Sequence, residues 1–239
     1  MSDEKAEFPD SYPESDDRTV GYQVARTAIE AAASIVPGAG YALGQIVEHV
    51  IGEPLRKRRD EFFTRVGERL NKLEEQGRIS SSELSDDEEF VSAVYEATQI
   101  YMKTSKEEKR QLLENAIINT ALGFNLDDVL RGAFYALIER FSPLHIVVLK
   151  MLHDPSASPE YADAAKNVYM SSKDNIVRQV LKMPHHHASG PLERVFSDLN
   201  REGLTDGSEK GGMTKDGVMA GSTTLIGAQF LRFISAPAL

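Results

Sequence analysis

The sequence TAIEAAASIVPGAGYALGQIVEHVIGEPLRKRR, residues 27–59, carries the strongest structural signal in this chain. Residues 31–47 have no formal charge, Pro37-Gly38 interrupts them, and four basic residues, Arg56, Lys57, Arg58 and Arg59, follow. Two structures fit this pattern: a buried helical hairpin, or a membrane-active hairpin (residues 28–52) with a basic flank. A membrane-spanning helix needs about 20 apolar residues. Each arm reaches only about half of that length, so the pattern favours the buried hairpin.

The composition narrows the classes of function. The chain has 239 residues, a formal net charge of −10 and no cysteine. The negative charge argues against indiscriminate nucleic-acid binding, which depends on neutralisation of phosphates by Lys and Arg. Without cysteine there are no disulfides, thiolate chemistry or Cys-based zinc sites. The N-terminus lacks the basic and apolar regions of a secretory signal, and we expect a cytoplasmic protein.

Three regions are predicted along the chain. Residues 1–18 carry seven acids against two bases and few large apolar side chains, which is typical of a disordered acidic tail. Residues 19–141 show apolar positions at helical spacing and predict a helical bundle that contains the Pro-Gly hairpin. Its first two helices are expected over 19–35 and 41–51. A third is expected from Pro54 to about Glu75, with an apolar seam of Leu55, Phe62, Val66, Leu70 and Leu73. Ser85-x-x-Glu88 and Ser105-x-x-Glu108 match the capping box that opens a helix.

Residues 142–239 form the third region. Ser142-Pro143 and Ser158-Pro159 each place a cap residue before a proline that suits the first turn of a helix. The apolar spacing then predicts helices over 143–152, 159–170, 174–182 and 191–202. Residues 211–221 are rich in glycine and are followed by an apolar segment.

This order of elements, with 174–182 or 191–202 as the third helix and a glycine-rich two-stranded wing after it, resembles a winged-helix domain. The segment LERVFSDLNREGLT (residues 192–205) is similar to the helix and turn before the wing in MarR-like and ArsR-like regulators. The segment STTLIGAQFLRFI (residues 222–234) is similar to the returning wing strand and closing helix, with Thr-x-x-Gly at the turn. The resemblance implies a winged-helix-like domain with a small β-wing. With the helical bundle that apolar spacing predicts for residues 19–141, the expected fold is mainly α, an N-terminal helical bundle followed by this domain. Winged helices serve both DNA binding and protein contact.

The first 140 residues are similar, more loosely, to uncharacterised bacterial helical proteins of the Abi-alpha kind. The segments IVPGAG and PLRKRRDEF carry this resemblance. It implies a stress- or phage-defence-associated protein and assigns no residue a role.

Two sets of basic residues are candidate contacts. Arg194, Arg201, Lys210 and Lys215 lie on the expected reading helix and wing and are possible contacts for DNA or a partner. Acidic neighbours such as Glu193 and Asp198 would repel phosphates, which favours docking over DNA reading. The run Arg56, Lys57, Arg58 and Arg59 is a possible contact for an anionic surface, although nearby acids also predict an ion-paired helix start.

The sequence predicts neither an enzyme nor a cofactor or metal site. It has no G-x-S-x-G, no P-loop and no H-E-x-x-H motif. His185-His186-His187 is the one metal-like cluster, and three adjacent residues do not all face one ion without a tight loop.

The leading hypothesis is a non-enzymatic bacterial interaction or regulatory protein. Its winged-helix part would dock a protein partner or a second copy of the chain as a homo-oligomer. The alternatives are a DNA-binding transcriptional regulator and a membrane-active effector that acts through residues 28–52.

Overall fold

The structure is a computed structural model that describes residues 53–124, 126–166, 168–183 and 190–237. The chain divides into two compact units, Met1–Arg58 and Arg59–Leu239. The predictions for the acidic tail, the two helices before residue 53, the 28–52 hairpin and His185–His187 lie outside the described residues. The described residues belong to the second unit, except for residues 53–58, which lie at the start of its first helix.

The described residues form eleven α-helices, so the mainly α class is confirmed. Five precede residue 142: α1 Glu53–Glu75, α2 Ser81–Ser85, α3 Glu88–Lys103, α4 Glu107–Ala121 and α5 Asp128–Arg140. Six follow it: α6 Pro143–His153, α7 Pro159–Ala165, α8 Lys173–Val180, α9 Pro191–Arg201, α10 Lys215–Met219 and α11 Leu225–Ile234. Short 3-10 turns lie at Pro155–Ala157 and Ser208–Lys210.

Local caps explain where several helices begin. Helices α6 and α7 start at Pro143 and Pro159, as the two Ser-Pro pairs predict. The capping box predicted at Ser85 is wrong, because Ser85 ends α2 and Asp87 caps α3 by accepting hydrogen bonds from two backbone amides. The box at Ser105 is also wrong, because α4 begins one residue later, after Lys106, and has no side-chain cap.

Helix α1 packs through the apolar seam that its sequence predicts. Phe62, Val66 and Leu73 are buried. The Phe62 ring lies with its centroid 4.4 Å from that of Tyr101 on α3. Beside this seam Arg65 pairs with Glu107 and with the buried Glu114 of α4. Burial raises the pKa of Glu114, although Arg65 acts in the opposite direction.

Buried residues from both sides of residue 142 share one hydrophobic core. Phe134 of α5 contacts Phe230 and Phe233 of α11, with ring centroids 5.2 and 5.7 Å apart. The α11 helix also packs along α4. The last helix of the chain therefore closes the core that the earlier helices begin.

The predicted β-wing is wrong for the residues that the structure describes. Between α9 and α11 the described chain forms a 3-10 turn and helix α10, and β pairing is limited to isolated bridges. One bridge joins Thr205 to Thr223, and the other joins Ser171 to Met213. The second bridge has two backbone hydrogen bonds, of 3.0 and 2.7 Å. Helix α7 ends at Ala165, before the predicted residue 170, and the bridge at Ser171 follows it.

Among the described helices, none is by itself both long enough and apolar enough to cross a membrane. Helices α5 and α6 meet these criteria of length and composition only as a pair, and the pair is bent by 119°.

Candidate functional site: the charged face of helix α9

Helix α9 is built with one apolar face and one charged face. Gly190 precedes it and Pro191 occupies its first position, where the missing proline amide has no structural cost. Its buried apolar residues, which pack into the shared core, are Leu192, Val195, Phe196 and Leu199. The opposite face carries the predicted contact residues Arg194 and Arg201. Burial of the apolar face therefore fixes the direction in which these two arginines point.

Asp198 is the centre of the charged face. It is buried, and its carboxylate accepts from Arg194 Nε at 2.9 Å and pairs with Arg201 Nη2 at 2.9 Å. His145 Nε2 of α6 lies 3.4 Å from Asp198 Oδ2. Burial acts to raise the pKa of Asp198, but the hydrogen bonds from Arg194 and His145 hold it below its ordinary value. The carboxylate is thus ionised at neutral pH and anchors both arginines.

Glu193 is a second anchor on the same helix. Its carboxylate accepts from Arg178 Nη2 of α8 at 2.8 Å and from Lys210 Nζ at 2.6 Å. Arg178 is itself buried and pairs with Asp174 at 3.0 Å. The predicted contact residue Lys210 is therefore joined to α8 and α9 by one network of charges.

The basic groups form the outer layer of this face and the acids lie beneath them. The side chains of four basic residues are 53–70% exposed: Arg140, Arg194, Arg201 and Lys210. Their carboxylate partners are only 12–24% exposed, and they are Glu193, Asp198 and Glu202. Arg140 reaches this layer from α5 through Glu202, at 2.9 Å. Each outward cation therefore has a carboxylate next to it.

A hydroxyl, an imidazole and a carboxylate lie next to one another in the order Ser142, His145 and Asp198. The Ser142 hydroxyl lies 2.9 Å from His145 Nδ1, and the Ser142 backbone amide donates to the same nitrogen at 3.1 Å. Since Nδ1 accepts from the amide, the ring proton lies on Nε2, facing Asp198. His145 thereby takes the place of the Glu or Gln in a capping box. The contacts are those of a helix cap that fixes the start of α6 against α9.

His145 is held neutral by its surroundings. Burial lowers its pKa below the ordinary 6.5, although Asp198 acts to raise it, and Lys109 and Arg194 lower it further. His153, two turns along α6, is exposed, and its Nδ1 lies 2.8 Å from Thr223 Oγ1. Each histidine thus has a hydrogen-bond partner from a different element.

The structure does not bring all predicted contact residues together. Arg194, Arg201 and Lys210 share the α9 face, while Lys215 lies exposed in the first turn of α10. The four basic residues Arg56–Arg59 lie at the start of α1, where Arg59 Nε is 3.6 Å from Asp60 Oδ1. That pair agrees with the predicted ion-paired helix start.

Sequence reasoning missed the buried charges that organise this face. Arg178 and Lys173 of α8 are buried, although both residue types are usually exposed. The only local signal was the apolar spacing of α8, which does not distinguish a buried cation from an exposed one. Among the residues that the structure describes, no group of three His, Asp or Glu side chains is arranged to hold a metal ion.

No protein-family model, no curated protein and no solved structure matches this chain.

Proposed function

We propose that this chain is a non-enzymatic interaction module that docks a protein, either a second copy of itself or another chain, through the charged face of α9. The observation that carries the proposal is the pairing of Arg194, Arg201 and Lys210 with the largely buried carboxylates of Asp198 and Glu193. This pairing holds the basic groups in fixed positions. A fixed pattern of basic and acidic groups gives specificity for a partner with the complementary pattern.

The same pairing weighs against nucleic acid as the partner. Affinity for a phosphate backbone comes from cations that release counterions when they bind. Here Asp198 and Glu193 already neutralise the cations, and Asp198 would lie close to any phosphate that Arg194 contacted. The whole chain also carries a net charge of −10. A protein surface of mixed charge fits this face better than a uniform line of phosphates does.

Exposed apolar side chains close to the segment that follows Lys210 support protein contact. Tyr169 is 90% exposed and Met170 is 62% exposed. A side chain at Gly212 would contact Met170, and Gly212 lies two residues beyond Lys210. Tyrosine, methionine and arginine are enriched in the cores of protein interfaces. The docking surface would therefore combine the α9 charges with this tyrosine and methionine.

Light scattering on the full chain tests the proposal. The protein is measured over a range of concentrations, at low and moderate salt, with and without duplex DNA. We expect particles that are multiples of the 26.4 kDa chain and that gain no mass from DNA. The double substitution Arg194→Glu and Arg201→Glu should shift the association to higher protein concentration. Lys103→Glu is the matched control, since Lys103 is exposed and its ion pair joins α3 to α5 instead.

Three other results have definite meanings. If the particle gains mass with DNA at moderate salt, and Arg194→Ala or Arg201→Ala weakens that binding, the protein is a DNA-binding regulator and the proposal is wrong. If the protein stays a monomer at all concentrations and binds no DNA, a second copy of the chain is excluded as the partner. In that case, a photo-crosslinker at position 194 tests whether another protein is the partner, and a photo-crosslinker at position 103 is the control. If both positions give the same crosslinked products, the α9 face is not the docking surface. If the Lys103 variant and the arginine variants change the association equally, the α9 face is likewise not the docking surface.

A further inference from the structure

One carboxylate oxygen on the charged face of α9 contacts side chains from two helices. Asp198 Oδ2 accepts from Arg194 Nε at 2.9 Å, and the same oxygen lies 3.4 Å from His145 Nε2 of α6. The Arg194 side chain is 70% exposed, whereas His145 is buried. A change in the charge of the buried ring therefore acts on the oxygen that anchors an outward-facing arginine.

The other ring nitrogen of His145 is a hydrogen-bond acceptor. The backbone amide of Ser142 donates to Nδ1 at 3.1 Å, and this contact belongs to the cap that starts α6. It requires a lone pair on Nδ1, so it exists only while the ring is neutral. A second ring proton would occupy Nδ1 and leave the amide without this acceptor. The Ser142 hydroxyl, 2.9 Å from Nδ1, is then placed to accept a hydrogen bond from the new proton.

The charges around His145 set the balance between its neutral and protonated forms. Burial favours the neutral ring, Asp198 favours the protonated ring, and the positive charges of Lys109 on α4 and Arg194 on α9 oppose protonation. His145 also lies in the first turn of α6, where the helix dipole disfavours a cation. The net result is a pKa below the ordinary 6.5.

Aromatic rings and one further cation complete these surroundings. Phe141 stacks on the imidazole of His145, with ring centroids 4.5 Å apart and planes inclined by 13°. Phe230 of α11 packs edge-on against Phe141, with centroids 6.3 Å apart. The guanidinium of Arg140, from α5, lies 6.0 Å from the centroid of Phe141. The stacked ring keeps a protonated imidazole next to its hydrogen-bond partners.

A protonated His145 would compete with Arg194 for Asp198. The imidazolium would donate to Oδ2 with a full positive charge, and such charge-assisted hydrogen bonds are about twice as strong as neutral ones. Arg194 loses little by leaving, because its exposed side chain exchanges the carboxylate for water. Arg201 Nη2 lies 2.9 Å from the other oxygen, Asp198 Oδ1, so we expect protonation to release Arg194 before Arg201.

We infer that His145 is a positioning residue for the charged face of α9: its neutral ring leaves Asp198 free to hold Arg194, and protonation of the ring releases Arg194 and weakens docking. The first step, the release of Arg194, concerns this chain alone. The second step rests on the proposed function, in which fixed arginines give specificity. Because linkage is reciprocal, a docked partner should lower the pKa of His145 further.

NMR of the full chain tests the first step without any partner. The Nε–H signal of Arg194, assigned with the Arg194→Lys variant, is followed together with the His145 ring between pH 7.5 and pH 5. We expect both signals to titrate together below pH 6.5, and the Arg194 Nε–H to exchange faster with water relative to that of Arg178. Arg178 is the control, since its Nε donates to Asp174 at 3.1 Å.

Two results of the titration would overturn the inference. One is an Arg194 signal that does not change as His145 titrates. The other is a His145 ring that stays neutral until the protein unfolds, because a ring that never binds a proton in the folded state cannot release Arg194.

Light scattering over a range of concentrations, at pH 7.5 and pH 5, tests the second step. We expect the association constant to fall by about fivefold at the lower pH. His145→Gln should remove most of this dependence, since glutamine serves in a capping box and does not titrate. His153→Gln is the matched control and should keep it, because His153 is exposed on the same helix and contacts Thr223 instead.

The two tests distinguish failure of the inference from failure of the proposed function. If Arg194 titrates with His145 and the protein never associates, self-docking is wrong while the positioning role stands. If the protein associates and His145→Gln keeps the full pH dependence, the effect of His145 on docking is wrong while the docking face stands. If His145→Gln does not fold, Arg194→Gln decides the second step, since its association should be weak at both pH values.

Discussion

The side-chain amide of Asn119, on α4, lies 2.8 Å from the backbone carbonyl of Phe233, near the end of α11. The same nitrogen lies 3.1 Å from the carbonyl of Arg232 and 2.9 Å from that of Ser235. The last carbonyls of an α-helix have no partner within the helix. A residue 114 positions earlier in the chain therefore caps the final helix and fixes it in the shared core.

The first prediction concerns this contact. Asn119→Ala should lower the free energy of unfolding by about 1–3 kcal/mol, because it leaves buried carbonyl groups without their donor. Urea unfolding of the full chain measures this change. Asn175→Ala is the control, since Asn175 is exposed in the first turn of α8, and it should change the free energy by less than about 0.5 kcal/mol. Equal effects from the two substitutions would show that Asn119 does not hold α11.

A second prediction concerns Gly227, the glycine of the Thr-x-x-Gly pattern. A Cβ atom there would lie far inside contact distance of the backbone carbonyl of Leu204. Gly227→Ala should therefore destabilise the protein by about 1–3 kcal/mol, since backbone must move. Gly132→Ala should instead stabilise it by about 0.5–1 kcal/mol, because Gly132 lies within α5 with open space around it.

Chemical unfolding of both glycine variants checks the opposite signs. A neutral or stabilising Gly227→Ala would contradict the close approach of α11 to the turn after α9.

The third prediction is a pH dependence that arises from His145. Its pKa is lowered by burial, so the folded protein binds this proton less readily than the unfolded chain does. The contribution to stability is full above the ordinary value of 6.5 and is lost as the pH falls through the lowered folded value. Asp198, Lys109, Arg194 and Ser142 are the polar and charged neighbours that set this balance.

An NMR titration of the His145 ring measures its pKa directly, and we expect a value below 6.5. His145→Gln should reduce the loss of stability between pH 7.5 and pH 5.5. A measured pKa at or above 6.5 would mean that the contact with Asp198 outweighs burial.

The fourth prediction concerns the compensation of charge on the α9 face. Asp198→Asn keeps the shape of the side chain but removes the carboxylate that pairs with Arg194 and Arg201. We expect weak, sequence-independent binding of duplex DNA to increase at low salt and to disappear at moderate salt. Fluorescence anisotropy with a labelled duplex measures both. Asp163→Asn is the control, since Asp163 of α7 is exposed and pairs with Lys166, the residue that follows this helix. If the Asp198 variant binds no more DNA than the control, the Asp198 carboxylate does not neutralise the two arginines.

Much of the local structure could be predicted from the sequence. The Ser-Pro pairs set the first residues of α6 and α7, and the apolar spacing identified the buried seam of α1. The predicted helix over 191–202 is close to the observed α9, Pro191–Arg201. These features depend on residues three or four positions apart, so a short stretch of sequence contains all the information they need.

The candidate site could be predicted only in part. The sequence identified Arg194 and Arg201 as exposed basic residues with acidic neighbours, but not the contact from His145 to Asp198 across two helices. It also gave no sign that Lys210 shares Glu193 with the buried Arg178. Ion pairs between distant elements depend on how helices pack, and charge spacing along one helix does not determine that packing.

The sequence by itself determined that this is a mainly helical chain, where many of its helices begin and which faces they bury. Only the tertiary structure decided that the expected wing is a 3-10 turn and a short helix, and that Lys173 is buried beneath it. The physical reason is the range of the interactions. Caps and apolar stripes act within one or two helical turns, whereas a β ladder, a buried ammonium and the cap from Asn119 need partners that only the folded chain brings together.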